Sequence, residues 1–139
     1  MQQTRNVLTG GVAAAGLLMA SGAPAFATGE ILCGSADQSV SIYLGVSSTE
    51  TLNILRGTIT IGEQKWSTDT SIEPGDPLAI GQAYGNDGQL FIDFVSEPAG
   101  PVIGRLKVVD GREGEMSASG GVLTMKDKGA FVVDCSEPE

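Results

Sequence analysis

Two cysteines, Cys33 and Cys135, stand roughly 100 residues apart near the two ends of a chain that otherwise reads as short apolar runs cut by turns. A disulfide between them needs Cα atoms within about 7 Å. It therefore requires the first and last strands to be neighbours or to face each other across a core, which favours a closed sheet over an open one. The pair lacks the C-x-x-C spacing of a reactive dithiol, and the chain has no histidine to complete a thiolate metal set. A structural disulfide, Cys33 to Cys135, is the expected state. Closing a loop of about 100 residues restricts the unfolded chain by roughly 4–5 kcal/mol on the chain-entropy account.

Such a bond belongs to an oxidising compartment, and residues 1–27 carry the matching address. They contain a short start with Arg5, an apolar middle over residues 12–20, and the small-residue pattern Ala25-Phe26-Ala27. That is the layout of a secretory signal peptide cleaved after Ala27, with Ala25 and Ala27 as the recognition positions. The nine-residue apolar middle falls short of the roughly 20 residues that span a bilayer as a helix. Arg5 stands alone, so a twin-arginine signal is not indicated, and Glu30-Ile31-Leu32 before Cys33 does not fit a lipid-attachment site. The expected organisation is a leader over residues 1–27 and one domain over 28–139, periplasmic or extracellular and not inserted in the membrane.

The leader holds one of the eight Lys+Arg and none of the 17 Asp+Glu, so seven cations face 17 anions in the remaining 112 residues, a net charge of −10. That length suffices for one hydrophobic core. The acidity argues against nucleic acid and anionic membranes as partners, because those need cations to neutralise phosphates. It suits a cationic protein partner, whose approach complementary charge accelerates, and it also serves solubility.

After the leader, helical periodicity is nearly absent. Residues 40–44 alternate, with Val40, Ile42 and Leu44 on one face; Leu52 and Ile54 open the next strand; residues 58–61 alternate again. Gly62-Glu63 fits a two-residue type II′ hairpin that sets Ile59 opposite Trp66 and makes the one tryptophan a core anchor. Residues 78–84 and 90–95 form a hairpin around Asn86-Asp87-Gly88. Residues 102–109 put Leu106 and Val108 inward and Arg105 and Lys107 outward. Residues 110–114 read as a charged turn, and the last two strands are 122–125 and 130–135. The pattern predicts an all-β domain, an antiparallel β-sandwich or β-barrel of about eight strands.

Chemistry is bounded by what the chain lacks. Without histidine there is no Ser-His-Asp or Cys-His set and no imidazole metal site. No nucleophile elbow or phosphate loop appears, and no cofactor is expected. Carboxylates remain. Asp93, inside an apolar run, is the best candidate for a perturbed acid, though alternation places it opposite the Leu90-Ile92-Phe94 face. Asp87, Asp110, Glu113 and Glu115 lie in turns but do not follow a calcium-loop spacing. Tyr43 and Phe91 fall opposite their strands' main apolar sets and form the candidate contact surface. The functional expectation is an exported, non-enzymatic binding protein, in its sharper form an inhibitor of a cationic hydrolase such as lysozyme. The alternatives are an accessory subunit that pairs through an edge strand and a carboxylate-based hydrolase.

Overall fold

The computed structural model describes residues 28–48, 51–86 and 88–136; the expected leader, with Ala25 and Ala27, lies outside them. Among the described residues the chain is all β. Ten strands follow in order: β1 (Thr28–Gly34), β2 (Val40–Ser48), β3 (Leu52–Ile61), β4 (Gln64–Ser67), β5 (Asp76–Pro77), β6 (Ala79–Asn86), β7 (Gln89–Val95), β8 (Val102–Glu113), β9 (Met116–Met125) and β10 (Gly129–Ser136). They form one sheet in the order β5-β4-β3-β2-β1-β10-β9-β8-β7-β6. Each half is a meander of antiparallel neighbours, apart from the two-residue β5, which pairs with β4 in parallel. The two halves are joined where β1 pairs with β10, and β3 packs against β6 on the far side. The result is a nearly closed barrel.

Side-chain alternation decides what lies inside. Val40, Ile42 and Leu44 of β2, Ile59 of β3, Ile92 and Phe94 of β7, Leu106 and Val108 of β8, Leu123 of β9 and Val133 of β10 are all buried in one cluster. The interior of this small barrel is therefore filled by its own side chains rather than left for a ligand. Trp66 is 7% exposed within that cluster. It stands opposite Ile59, with Ile61 opposite Gln64, as the Gly62-Glu63 turn requires. Gly62 has φ of 60°, the left-handed value that the first central position of a type II′ turn needs.

Two strands exceed the expected eight. β1 was hidden because Thr28–Gly34 carries two glycines and a glutamate and shows no clean apolar alternation, and β5 is only two residues long. Cys33, expected at the start of the first strand, is instead the penultimate residue of β1. The expected charged turn over residues 110–114 is also corrected. β8 continues to Glu113, and the turn is Gly114-Glu115.

The disulfide joins Cys33 and Cys135, which are direct register partners with Cα atoms 4.0 Å apart. The β1–β10 ladder contains only Leu32↔Ser136, Cys33↔Cys135 and Gly34↔Asp134. It is shorter than any other antiparallel ladder among the described residues, and it carries the closure of the barrel. Paired serines at positions 33 and 135 are expected to lower stability by up to about 4–5 kcal/mol. Urea unfolding followed by Trp66 fluorescence checks this: the midpoint falls in the variant, and reductant shifts the native protein but not the variant. An unchanged midpoint in the variant refutes the assignment.

Candidate functional site

With the interior filled, the polar groups open to solvent lie on the outer surface. The two aromatics expected there do lie on the outer face, but not as bare rings and not together. Tyr43, on β2, donates its hydroxyl to Glu30 Oε1 at 2.7 Å and accepts from Arg56 Nη2 at 2.8 Å. The Arg56 guanidinium also lies 5.4 Å from the ring centroid. Phe91, on β7, has Arg105 at 5.1 Å and Lys107 at 5.7 Å from its centroid. Each ring is thus covered by cations from the adjoining strand, an arrangement stabilised by the negative face of the π system. Tyr43 and Phe91 stand on strands that are not neighbours in the sheet, each with its own cations.

Asp93 faces outward as alternation demands, yet it is only 7% exposed. Its register partner Arg105 covers it, with Nε 2.7 Å from Oδ1. That hydrogen bond, and then the carboxylate's charge, raises the Arg105 pKa above its ordinary value. Asp93 serves to lock β7 to β8 and to hold the guanidinium over Phe91.

The largest departure from a compact barrel is the β8–β9 hairpin. β7 stops pairing with β8 at Gln89↔Val109, and the Asp110 N–H donates to the Gly88 carbonyl just beyond. On the other side β10 stops pairing with β9 at Val133↔Gly121, with Ser119 Oγ donating to the Cys135 carbonyl at 2.6 Å. Past these points β8 and β9 continue alone through Gly111↔Ala118, Arg112↔Ser117 and Glu113↔Met116. Residues 109–118 are all exposed, on both faces of the ribbon. At about 3.4 Å per residue the free pairs project roughly 10 Å past their neighbours. The ribbon carries Asp110, Glu113 and Glu115 against one cation, Arg112, and ends at Met116, which is 79% exposed. Sequence reasoning missed it, although Gly114-Glu115 repeats the Gly-Glu pair that marked the earlier hairpin. Gly114 has φ of 61°, nearly the value at Gly62.

Elsewhere carboxylates are held by their own loops. The hydroxyls of Ser35 and then Ser39, with the Ser39 N–H, lower the Asp37 pKa to about 2. The Ser71 hydroxyl and N–H lower that of Asp69. Lys65, 2.6 Å from Glu73, lowers that of Glu73 by its hydrogen bond and charge. Among the described residues no group of three or more Cys, Asp or Glu is placed to hold a metal ion. Asp110, Glu113 and Glu115 are strung along the ribbon instead of converging, and Asp87 lies outside the described residues.

No protein family, no curated protein and no solved structure matches this chain. The barrel and its surface are therefore the whole basis for a functional reading.

The lowered carboxylates set an acid limit. A group whose folded pKa lies below its unfolded value contributes stability that is present above the unfolded value and is lost as pH falls through the folded one. For Asp37 that window runs from its ordinary 3.8 down to about 2. The thermal midpoint is expected to drop as pH falls through this window, and Asp37→Asn is expected to flatten the drop. Thermal melts at half-unit pH steps check it; equal slopes for both proteins count against the Asp37 contribution.

Proposed function

We propose that this protein is an exported, non-catalytic binding protein that engages a cationic partner through the β8–β9 ribbon, in its concrete form as an inhibitor of a basic hydrolase such as lysozyme. The ribbon carries the reading. Two strands with neither face packed gain little stability from one another, so extending them past the barrel serves no structural end. A narrow acidic projection with an exposed methionine at its tip suits insertion into a concave, positively rimmed site. The net charge of −10 on residues 28–139 adds long-range attraction for such a partner. The disulfide, where it closes the barrel, supports a non-reducing and hence exported setting.

The hydrolase alternative meets a chemical obstacle. Glycoside hydrolysis by two carboxylates needs one of them protonated to act as the acid. Asp69 and Glu73 share the wall of a surface cleft, yet both have lowered pKa values and are ionised at neutral pH. The edge-pairing alternative is weakened at β6. Its ladder with β7 is irregular between Ile80 and Ala83, and β3 lies against it; bulges and cover both blunt an edge.

The test is retention on immobilised hen-type lysozyme at low and moderate salt, with association rates measured for the native protein and for the triple variant Asp110→Asn, Glu113→Gln, Glu115→Gln. Complementary charge acts chiefly on the association rate, so the variant is expected to bind about tenfold more slowly at low salt. Its thermal midpoint should stay unchanged because the ribbon packs on nothing. Absence of retention of the native protein at either salt removes the lysozyme form of the proposal.

A further inference from the structure

We infer that a second site, on the outer face of β2–β4, binds a small organic carboxylate bearing a branched apolar group. It does not rest on the ribbon, since β1, β10 and β9 intervene between β2 and β8 in the sheet. The site is a cleft of about 670 Å³ lined by Tyr43, Leu55, Arg56, Thr68 and Ile72 among others. That volume lies within the roughly 300–1,000 Å³ of small-molecule sites.

Three local devices build it. The β2–β3 register shifts between Gly45 and Val46, so that Arg56 pairs with Gly45, Ile54 pairs with Val46, and Leu55 is left over. This bulge brings the consecutive residues Leu55 and Arg56 to the same cleft, which strict alternation forbids, and re-aiming side chains is what bulges do. Gly45 then leaves a lane for the arginine. A Cβ there would come within 3.0 Å of Arg56 Cγ and 3.2 Å of Nε. Along this lane Arg56 runs to the Tyr43 ring and hydroxyl. On the opposite wall, Thr68 ends the sheet by bonding Gly57 twice: its N–H donates to the Gly57 carbonyl at 3.0 Å, and its Oγ1 accepts from the Gly57 N–H at 2.9 Å. The chain then turns back, with the N–H groups of Ile72 and Glu73 both donating to the Asp69 carbonyl. Ile72 comes to line the cleft while 68% exposed, and Leu55 is 56% exposed.

The charges of the lining are committed, with one exception. Lys65 and Glu73 satisfy each other at 2.6 Å. The Asp69 carboxylate is turned onto the N–H and hydroxyl of Ser71. Glu30 accepts a hydrogen bond from the Tyr43 hydroxyl. Arg56 gives an N–H to Tyr43, lies over its ring, and adds a minor share to the lowered Glu73 pKa, but it makes no ion pair among the described residues. A guanidinium has five donors in a planar fork that matches a carboxylate, so most of its capacity faces the cleft unspent. Thr68 Oγ1, as an acceptor toward Gly57, still has its own proton to donate. The neighbouring carboxylates disfavour a doubly charged anion, and a single carboxylate answers the one cation of the lining without an ion-pair partner among the described residues. Leu55 and Ile72 supply apolar walls for the rest of the ligand.

The test uses the disulfide-bonded protein titrated with N-acetyl-L-leucine by calorimetry, beside N-acetyl-L-leucinamide, which keeps the apolar group and loses the charge. One saturable site for the acid is expected, with the amide at least about tenfold weaker, as befits a charge-assisted pair. Arg56→Lys keeps the charge without the fork and is expected to weaken the acid about tenfold, while Arg105→Lys leaves it unchanged. Since Arg56 is exposed, an unaltered thermal midpoint will show that the variant is folded. Equal binding of acid and amide, full binding by Arg56→Lys, or no saturable binding each overturns the inference.

Discussion

The closure of β1 onto β10 is the contact on which the rest of the structure depends. Every other antiparallel neighbour in the sheet joins strands that follow one another in the chain, so those ladders form locally and at small cost in loop entropy. The β1–β10 ladder joins the two ends, has three register pairs, and would be the first to open. One covalent bond at its middle pair turns it into a fixed seam. Once it is fixed, the two meanders face each other, and the inward residues of β2, β7, β8 and β9 complete one apolar filling. Without that seam, each half would be an open curved sheet with an exposed apolar face.

A filled interior has a functional consequence. Larger barrels bind ligands within; this one holds Leu44, Ile59, Ile92, Phe94, Leu106 and Leu123 there, all fully buried. Chemistry is displaced to the outside, where long side chains lie flat on the sheet and are held by neighbours across the strands. The pairs Arg56–Tyr43 and Arg105–Asp93 show the two uses of that surface. Arg105 is paired to a buried carboxylate and belongs to the scaffold. Arg56 hydrogen-bonds a hydroxyl, lies over the same ring, and has no ion-pair partner among the described residues. The two arginines are indistinguishable in composition, and only cross-strand register separates their roles.

Much of the scaffold was legible in the residues. The Gly62-Glu63 turn predicted the Ile59–Trp66 pair, alternation predicted which side of β8 faces in, and the cysteines predicted that the chain's two ends meet. These features share a cause: turn chemistry and period-two burial act over a few residues and leave a local trace. β1 left none, because its strand character comes from being paired on both sides and not from its own composition. The ribbon was misread for a related reason. Asp110, Gly111, Arg112 and Glu113 have poor intrinsic strand preference, and they are extended because β9 pairs with them out to the turn. The cleft was invisible except for Tyr43. It arises from a register shift and from Ile72 returning over β4, neither of which is written in a spacing.

The departures from regularity are register shifts in the β2–β3, β6–β7 and β7–β8 ladders and the overhanging β8–β9 ribbon, and two of them set polar groups in water. A barrel of this kind is most stable with matched strand lengths and uniform alternation, the consistency across levels that defines an easily folded sequence. The chain keeps that consistency from β8 to β10 at the core and gives it up at the ribbon, where paired strands outrun their neighbours, and at Gly45, where a bulge and a missing side chain admit Arg56. Neither irregularity adds buried apolar surface; both put charged and apolar groups side by side in water. A scaffold tied covalently at its weakest ladder can carry such features because the free energy they forgo is small beside what the seam secures. Both lie on the outer surface, at the outer face of β2–β4 and the end of the β8–β9 ribbon, away from the apolar filling.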